Sequence, residues 1–164
     1  VSQKKHVLKA IDMLVPAYRD QAAPVVDYFA LDDTTFGYII DMSARVEEPF
    51  SPAVLVRLVG ATGKREDHTL GNIALLAEYQ RKGVWVRMYT DYGVFTPCSD
   101  SRTFASHAGQ AVSIFNISAK GLRSMGLEYP IYDFTSLWQG TLNRSTGEAF
   151  TIEAEGEYVV FQTY

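Results

Sequence analysis

The sequence has few of the residues that build metal sites and disulfides. It contains one cysteine, Cys98, and three histidines among 164 residues. A single cysteine excludes an internal disulfide and a paired-cysteine metal site. The histidines, His6, His68 and His107, show neither HxH nor HExxH spacing. We therefore expect no metal and no cofactor, and a fold that is stabilised by its apolar core.

Clustered charge and long apolar runs are also missing. The 19 acidic and 15 basic residues give a net charge of -4, and no block of five or six like charges occurs. Nucleic acid is not an expected partner, because phosphate binding needs a clustered basic face. The sequence contains no run of 18 apolar residues, the length that a membrane-spanning helix needs. The chain starts at Val1 and ends in the apolar run YVVFQTY, which predicts an excised or processed domain with any membrane tether outside these residues.

Apolar residues are plentiful and change their spacing along the chain. With 47% hydrophobic and 13% aromatic residues, residues 1–164 are predicted to form a single domain. Helical spacing predicts an amphipathic helix over residues 3–22. Runs rich in Val, Ile, Tyr and Phe, NIALLAEY among them, predict strands from about residue 34 onward, and SHAGQAVSIFNISAKGLRSMG predicts one more helix. The predicted fold class is α+β, with the N-terminal amphipathic helix packed on a mostly antiparallel sheet of five or six strands.

The stretch VLVRLVGATGKRED, residues 54–67, has the glycines and lysine of a phosphate-binding loop. A P-loop needs GxxxxGK followed by Ser or Thr, whereas this chain has Leu58 at the first glycine position and Arg65 after the lysine. The preferred interpretation is a hairpin in which the charged turn TGKRED joins two strands and lies in water.

A second interpretation of the same stretch is a nucleotide-binding fold. VLVRLVGATGK, LGNIALLAEYQRKG and VWVRMYTD resemble the strand, glycine turn, helix and acid-ended strand of NmrA-like Rossmann proteins. That resemblance implies that Gly60 and Gly63 approach a pyrophosphate and that Asp91 lies near a ribose. Glu66 stands where the third glycine is expected, and its charge opposes an anion there. This interpretation stays open as an alternative.

Cys98 and His107 lie close in sequence, in TPCSDSRTFASH, with Asp100 between them. A thiolate beside an imidazole is a nucleophile pair, so a small cysteine-dependent hydrolase is another alternative. The spacing matches no cysteine-hydrolase signature, and a lone cysteine is commonly a small buried apolar residue. We predict no catalytic residue.

The stretch VWVRMYTDYG predicts a ligand-binding face. Strand alternation places Trp85, Arg87, Tyr89 and Asp91 on one face, and Val84, Val86 and Met88 on the core side. Aromatic rings beside a bidentate donor and a carboxylate are typical of a pocket for a small polar ligand. An exposed sheet face with ordinary cross-strand pairs is the alternative.

Three further segments, YTDYGVFTP, YPIYD and GEYVVFQTY, together with the N-terminal helix, resemble extracytoplasmic Cache or PAS-like sensor domains. The resemblance implies a small polar or anionic metabolite bound by Trp85, Arg87, Tyr89 and Asp91, with Tyr132 and Asp133 as further contributors. It also implies signal transduction and a location on the extracytoplasmic side of a membrane. A homodimer is a separate expectation. The predicted function is therefore a non-catalytic ligand-binding or sensory domain. The alternatives are the Rossmann domain, the hydrolase and an interaction or structural subunit.

Overall fold

The computed structural model describes residues 25–30, 36–41, 54–59, 61–62, 65–82 and 84–164. The amphipathic helix predicted for residues 3–22 lies outside these ranges. The chain divides into two compact units, which we call unit 1, Val1–Thr90, and unit 2, Asp91–Tyr164.

Unit 1 contains four described strands and one helix. They are β1 (Val25–Ala30), β2 (Phe36–Asp41), β3 (Val54–Val59), α1 (Glu66–Arg81) and β4 (Val84–Tyr89). The strand order is β2-β1-β3-β4, in which β1 pairs antiparallel with β2 and parallel with β3, and β3 pairs parallel with β4. Parallel neighbours need a crossover connection, and α1 supplies it between β3 and β4.

The helix α1 corrects two predictions. NIALLAEY was expected to be a strand, and TGKRED was expected to join a hairpin, but α1 begins at Glu66 and β3 and β4 are parallel. Leu76, Ala77 and Tyr79 are buried on one side of α1, a helical spacing that the Ile and Tyr content of the segment obscured. The order strand, turn, helix, strand of the Rossmann alternative is therefore correct for this stretch, whereas Gly60 and Gly63 lie outside the described residues.

Unit 2 consists of strands. They are β5 (Gly93–Ser99), β6 (Arg102–Ala105), β7 (Ala111–Asn116), β8 (Lys120–Met125), β9 (Asn143–Arg144), β10 (Ala149–Glu155) and β11 (Glu157–Thr163). One sheet has the order β5-β11-β7-β9 and the other the order β6-β10-β8, and each strand pairs antiparallel with its neighbours in these orders. The helix predicted for SHAGQAVSIFNISAKGLRSMG is wrong, because this segment forms β7 and β8. Gly109, between β6 and β7, and Gly121, within β8, have φ of +83° and +66°, left-handed conformations that a helix does not allow.

The core of unit 2 lies between its two sheets. Phe104 and Phe150 stack at 4.9 Å in one sheet, and Ile114, Tyr158 and Val160 contribute from the other. The rings of three more phenylalanines form a second, half-buried cluster within the first sheet, with centroids 4.5 and 6.2 Å apart: Phe95, Phe115 and Phe161. Unit 2 is thus a two-layer sandwich of antiparallel sheets.

The coarser fold prediction, a sheet-dominated α+β chain, is confirmed. The number of strands was underestimated, since the described residues alone contain eleven. The prediction of a mostly antiparallel sheet holds for unit 2, whereas β1, β3 and β4 run parallel in unit 1.

Candidate functional site

The strand β4 has the two faces that its sequence predicted. Val86 and Met88 are buried, with 1% and 0% of their surface exposed, and form its core side. Trp85, Arg87 and Tyr89 are half-buried on the opposite side. The guanidinium carbon of Arg87 lies 5.7 Å from the centre of the Trp85 ring, a cation–π arrangement.

The register of unit 1 adds an arginine that sequence reasoning missed. Arg57 of β3 pairs with Arg87 of β4, and paired residues of neighbouring strands share a face. Both arginines are half-buried. Arg57 becomes a neighbour of Arg87 because β3 and β4 pair in parallel. The hairpin expected from the sequence did not include this pairing. Arg57 pairs in turn with Asp27 of β1, so the register adds an acid as well as an arginine to this face.

The other three predicted ligand residues belong to unit 2. Asp91 is exposed in the turn that precedes β5. Tyr132 is 54% exposed and its ring meets Phe134 edge-on at 4.8 Å. Their role in ligand binding stays a prediction.

Asp133 is exposed and has a structural task. One of its carboxylate oxygens accepts a hydrogen bond from the backbone N–H of Leu122 in β8 at 2.7 Å. The backbone N–H groups of Leu122 and then Gly121 lower the pKa of this carboxyl below its usual value, because they stabilise the charged form. Since β8 is an outer strand of its sheet, Asp133 covers part of an open edge. A ligand that used this oxygen would compete with that bond.

The connection between β8 and β9 exposes an unusual amount of apolar surface. We call residues 127–142 the aromatic loop. Five large apolar side chains in it are between 54% and 85% exposed: Tyr129, Tyr132, Leu137, Trp138 and Leu142. Concentrated exposure of this kind marks a binding surface more often than scattered single residues do. Of the aromatic residues in YPIYDFTSLW, the sequence-based prediction named only Tyr132 as a ligand contact, although the run of rings itself was a signal.

Tyr129 is held at its backbone although its ring is in solvent. The N–H of Tyr129 donates to Oδ1 of Asn143 at 3.0 Å, and Nδ2 of Asn143 donates to the carbonyl of Tyr129 at 2.8 Å. Asn143 itself is 6% exposed. The adjacent Pro130 restricts Tyr129 to extended conformations, and Ile131 is buried. The loop therefore presents this ring from a fixed position.

The second half of the loop is a short 3-10 helix, Leu137–Gly140. The side chain of Gln139 accepts from the N–H groups of Thr135 and Ser136, both at 2.8 Å, and so closes a capping box. Gly140 packs directly on β7, where a Cβ atom would lie 1.9 Å from the carbonyl oxygen of Ile114. This helix is thus fixed to the sandwich while Leu137 and Trp138 remain exposed.

The thiol of Cys98 lies in the core of unit 2 at 1% exposure, and its Sγ is 3.7 Å from the carbonyl oxygen of Thr96. His107 is exposed, with Nδ1 3.2 Å from the carbonyl oxygen of Ala108. A buried thiol is closed to substrate, so the structure supports the prediction that Cys98 is a packing residue. Within the described ranges, no three His, Cys, Asp or Glu side chains are grouped as metal ligands. None of the helices described here combines the length and the apolar character of a membrane span.

Residues 93–161 match the family model of the thiamin pyrophosphokinase substrate-binding domain. The match includes both sheets of unit 2 and the aromatic loop. No curated protein sequence matches the chain.

Solved thiamin pyrophosphokinases share the fold. The enzyme of Bacillus subtilis is 19% identical with a TM-score of 0.58, covering 66% of this chain and 55% of its own. The Candida albicans enzyme is 18% identical with a TM-score of 0.58, covering 67% and 44%. That of Geobacillus thermodenitrificans is 25% identical with a TM-score of 0.54, covering 67% and 54%. The chain therefore spans about half the length of these enzymes.

These comparisons overturn the resemblance to Cache and PAS-like sensors, and with it the sensory and signal-transduction assignment. Two of the three segments that carried the resemblance, YPIYD and GEYVVFQTY, fall largely or wholly within residues that match the substrate-binding domain. The physical reason is the second sheet: β6, β8 and β10 pack on the first sheet, whereas the expected fold had one sheet covered by a helix. Unit 2 is similar to the substrate-binding domain of a thiamin pyrophosphokinase.

Proposed function

We propose that unit 2 binds thiamin, and that the chain is part of an enzyme of the thiamin pyrophosphokinase type. The observation that carries the proposal is the family-model match over residues 93–161. The name of the related enzymes describes transfer of a pyrophosphoryl group to thiamin. The expectation of a small polar ligand agrees with such a substrate.

The chemistry of the aromatic loop suits this ligand. Thiamin joins a cationic thiazolium ring to a flat aminopyrimidine ring. Exposed tyrosine and tryptophan rings stack on flat heterocycles, and their faces attract a cation. Tyr129 is the strongest candidate, because its backbone is already fixed and little entropy is lost when a ligand covers the ring.

Two charged features of the chain bear on the proposal. The net charge of -4 favours the approach of a cationic ligand. The face of Trp85 and Arg87 in unit 1, now joined by Arg57, stays a predicted contact for an anionic group. A pyrophosphoryl donor or product carries such a group.

The test is calorimetric titration of thiamin into the full chain and into Tyr129→Ala and Tyr129→Phe. The parent chain should bind with a 1:1 stoichiometry. Tyr129→Ala should weaken binding roughly tenfold, since loss of a stacking or cation–π contact costs on the order of 1 kcal/mol or more. Tyr129→Phe should stay within about threefold of the parent, because it keeps the ring.

Tyr164→Ala is the matched control, as it removes a tyrosine that is 67% exposed outside the aromatic loop. It should bind thiamin as the parent does. Equal affinity of the parent and Tyr129→Ala would place the contact elsewhere. Absence of thiamin binding by the parent would contradict the proposed function.

A further inference from the structure

We propose that Asn143 is a positioning residue, which holds the ring of Tyr129 ready for ligand by clamping the tyrosine backbone. The inference rests on the proposed function, in which Tyr129 is the ligand contact. Asn143 touches no ligand in this scheme and acts only through Tyr129.

The clamp adds side-chain bonds where a short antiparallel ladder has no backbone bond. Residues 127–129 run beside residues 143–145, with a bridge between Leu127 and Ser145 and a bond of 2.8 Å from the N–H of Glu128 to the carbonyl of Arg144. The next facing pair is Tyr129 and Asn143. There the backbone of Asn143 is paired with Val112 of β7 instead. The carboxamide of Asn143 therefore holds Tyr129 instead, as the acceptor for its N–H and the donor to its carbonyl.

The backbone conformation of the residue before Asn143 also supports a positioning role for the Asn143 carboxamide. Leu142 has φ +65°, a left-handed conformation that L residues other than Asn and Asp seldom adopt, and its side chain is 85% exposed. Neither burial nor conformational preference of leucine accounts for this geometry. It brings the chain into β9 so that the Asn143 carboxamide faces Tyr129, and backbone strain of this kind concentrates at functional sites.

Burial makes the clamp hard to replace. Oδ1 of Asn143 also accepts from the N–H of Arg144 at 2.9 Å, so the carboxamide makes three bonds at a site that is 6% exposed. Water has little access to substitute for a lost bond there. Loss of the carboxamide should free the backbone of Tyr129 and let its ring sample orientations that do not stack.

A double-mutant cycle with thiamin affinity as the readout separates positioning from a general structural role. The variants of the full chain are Asn143→Asp, Tyr129→Ala and both together. Asn143→Asp keeps the shape and the acceptor, but it removes the donor and sets a carboxylate against the carbonyl of Tyr129. We expect about a tenfold weaker affinity in the parent background and no further loss in Tyr129→Ala. An equal loss in both backgrounds would overturn the inference.

Amide hydrogen exchange in the ligand-free full chain provides a second readout. The Tyr129 N–H should be protected in the parent and exchange at least tenfold faster in Asn143→Ala, because its acceptor is gone. Asn116→Ala is the control: it removes a carboxamide that bonds Ala119 and Phe134, and it should leave Tyr129 protected. Unchanged exchange of Tyr129 in Asn143→Ala would refute the clamp. If the parent chain does not bind thiamin, the proposed function fails, and exchange alone decides whether Asn143 holds Tyr129.

Discussion

Tyr158 shows how a single polar group is accommodated in the core of unit 2. Its side chain is fully buried, and its hydroxyl reaches the carbonyl oxygen of Asp100, to which it donates at 2.9 Å. Asp100 has φ +62°, so this bond holds the turn between β5 and β6 in a conformation that few residues adopt. Burial raises the pKa of the Tyr158 phenol well above its ordinary value of 10.0, with a smaller contribution from the Cys98 thiol.

The raised pKa of Tyr158 predicts a loss of stability in alkaline solution. Below about pH 10 the phenol is neutral in both the folded and the unfolded chain, so its contribution is complete. Above that pH the unfolded chain releases the proton while the folded chain retains it, and the free energy of unfolding falls as pH rises. Urea unfolding at about pH 8 and pH 11 measures this change. Between the two pH values the free energy of unfolding should fall less in Tyr158→Phe than in the parent. At pH 8 the free energy of unfolding of Tyr158→Phe should be about 1 kcal/mol lower than that of the parent, because the hydroxyl hydrogen bond is missing. Identical alkaline losses in both chains would contradict this account.

Arg87 carries the prediction that unit 1 binds an anionic group. A charge-assisted bond contributes about 1.5–3 kcal/mol, so Arg87→Ala should weaken binding of an anionic ligand roughly tenfold or more. Titration of ATP and of thiamin diphosphate into the parent and the variant measures this. Arg102→Ala is the control, because Arg102 stacks on Phe104 in unit 2, at 5.4 Å, and should leave anion affinity unchanged. Equal affinities of the parent and Arg87→Ala would remove this face from the site.

At the scale of elements, two glycines in helices have opposite surroundings. A Cβ atom at Gly71 in α1 would have no atom within 4 Å, whereas one at Gly140 would collide with the backbone of Ile114. Glycine in an exposed helix costs entropy that alanine avoids. Gly71→Ala should therefore stabilise the chain by roughly 0.5–1 kcal/mol. Gly140→Ala should destabilise it and loosen the 3-10 helix. Urea unfolding of both variants measures the difference, and a destabilising Gly71→Ala would show that α1 is packed differently.

The elements that sequence predicted well are those with one dominant periodicity. In β4 the alternation of Val86 and Met88 with Trp85 and Arg87 is unbroken, so its two faces were assigned correctly. In α1 the residues Ile73 and Tyr79 favour strands by type, and the burial of Leu76, Ala77 and Tyr79 reveals the helical spacing. In residues 106–126, small residues indicated a helix, but Gly109 and Gly121 have left-handed conformations that a helix does not allow. Strand pairing overrode local propensity in residues 106–126, whereas in α1 the Ala, Leu and Glu residues themselves favour a helix.

The candidate site was predictable only in part, for a related reason. Trp85 and Arg87 lie together in one strand, and sequence alone brought them to one face. Tyr129 and Asn143 are 14 positions apart and meet through a side-chain bond to the backbone, which no spacing rule signals. The sequence also does not distinguish aromatic residues that are exposed in a loop from aromatic residues that are buried.

At the scale of the whole molecule, the chain contains a two-sheet unit that is similar to a substrate-binding domain and, in unit 1, a parallel strand–helix–strand arrangement. Because the chain spans about half the length of the enzymes it resembles, its catalytic activity is a proposal rather than a finding. The extracytoplasmic location and the homodimer stay predictions. The sensory role expected from the sequence is wrong, and substrate binding by unit 2 is the proposal that takes its place.

The central claim is that the aromatic loop of unit 2 binds thiamin. The most direct measurement is a titration of the ¹⁵N-labelled full chain with thiamin, followed by NMR chemical shifts. The account predicts saturable shifts at the Tyr129 amide, at the Asn143 side-chain amide and at the Trp138 indole N–H, with small shifts at Gly71 in α1. No saturable shift, or shifts confined to residues outside 127–143, would contradict it.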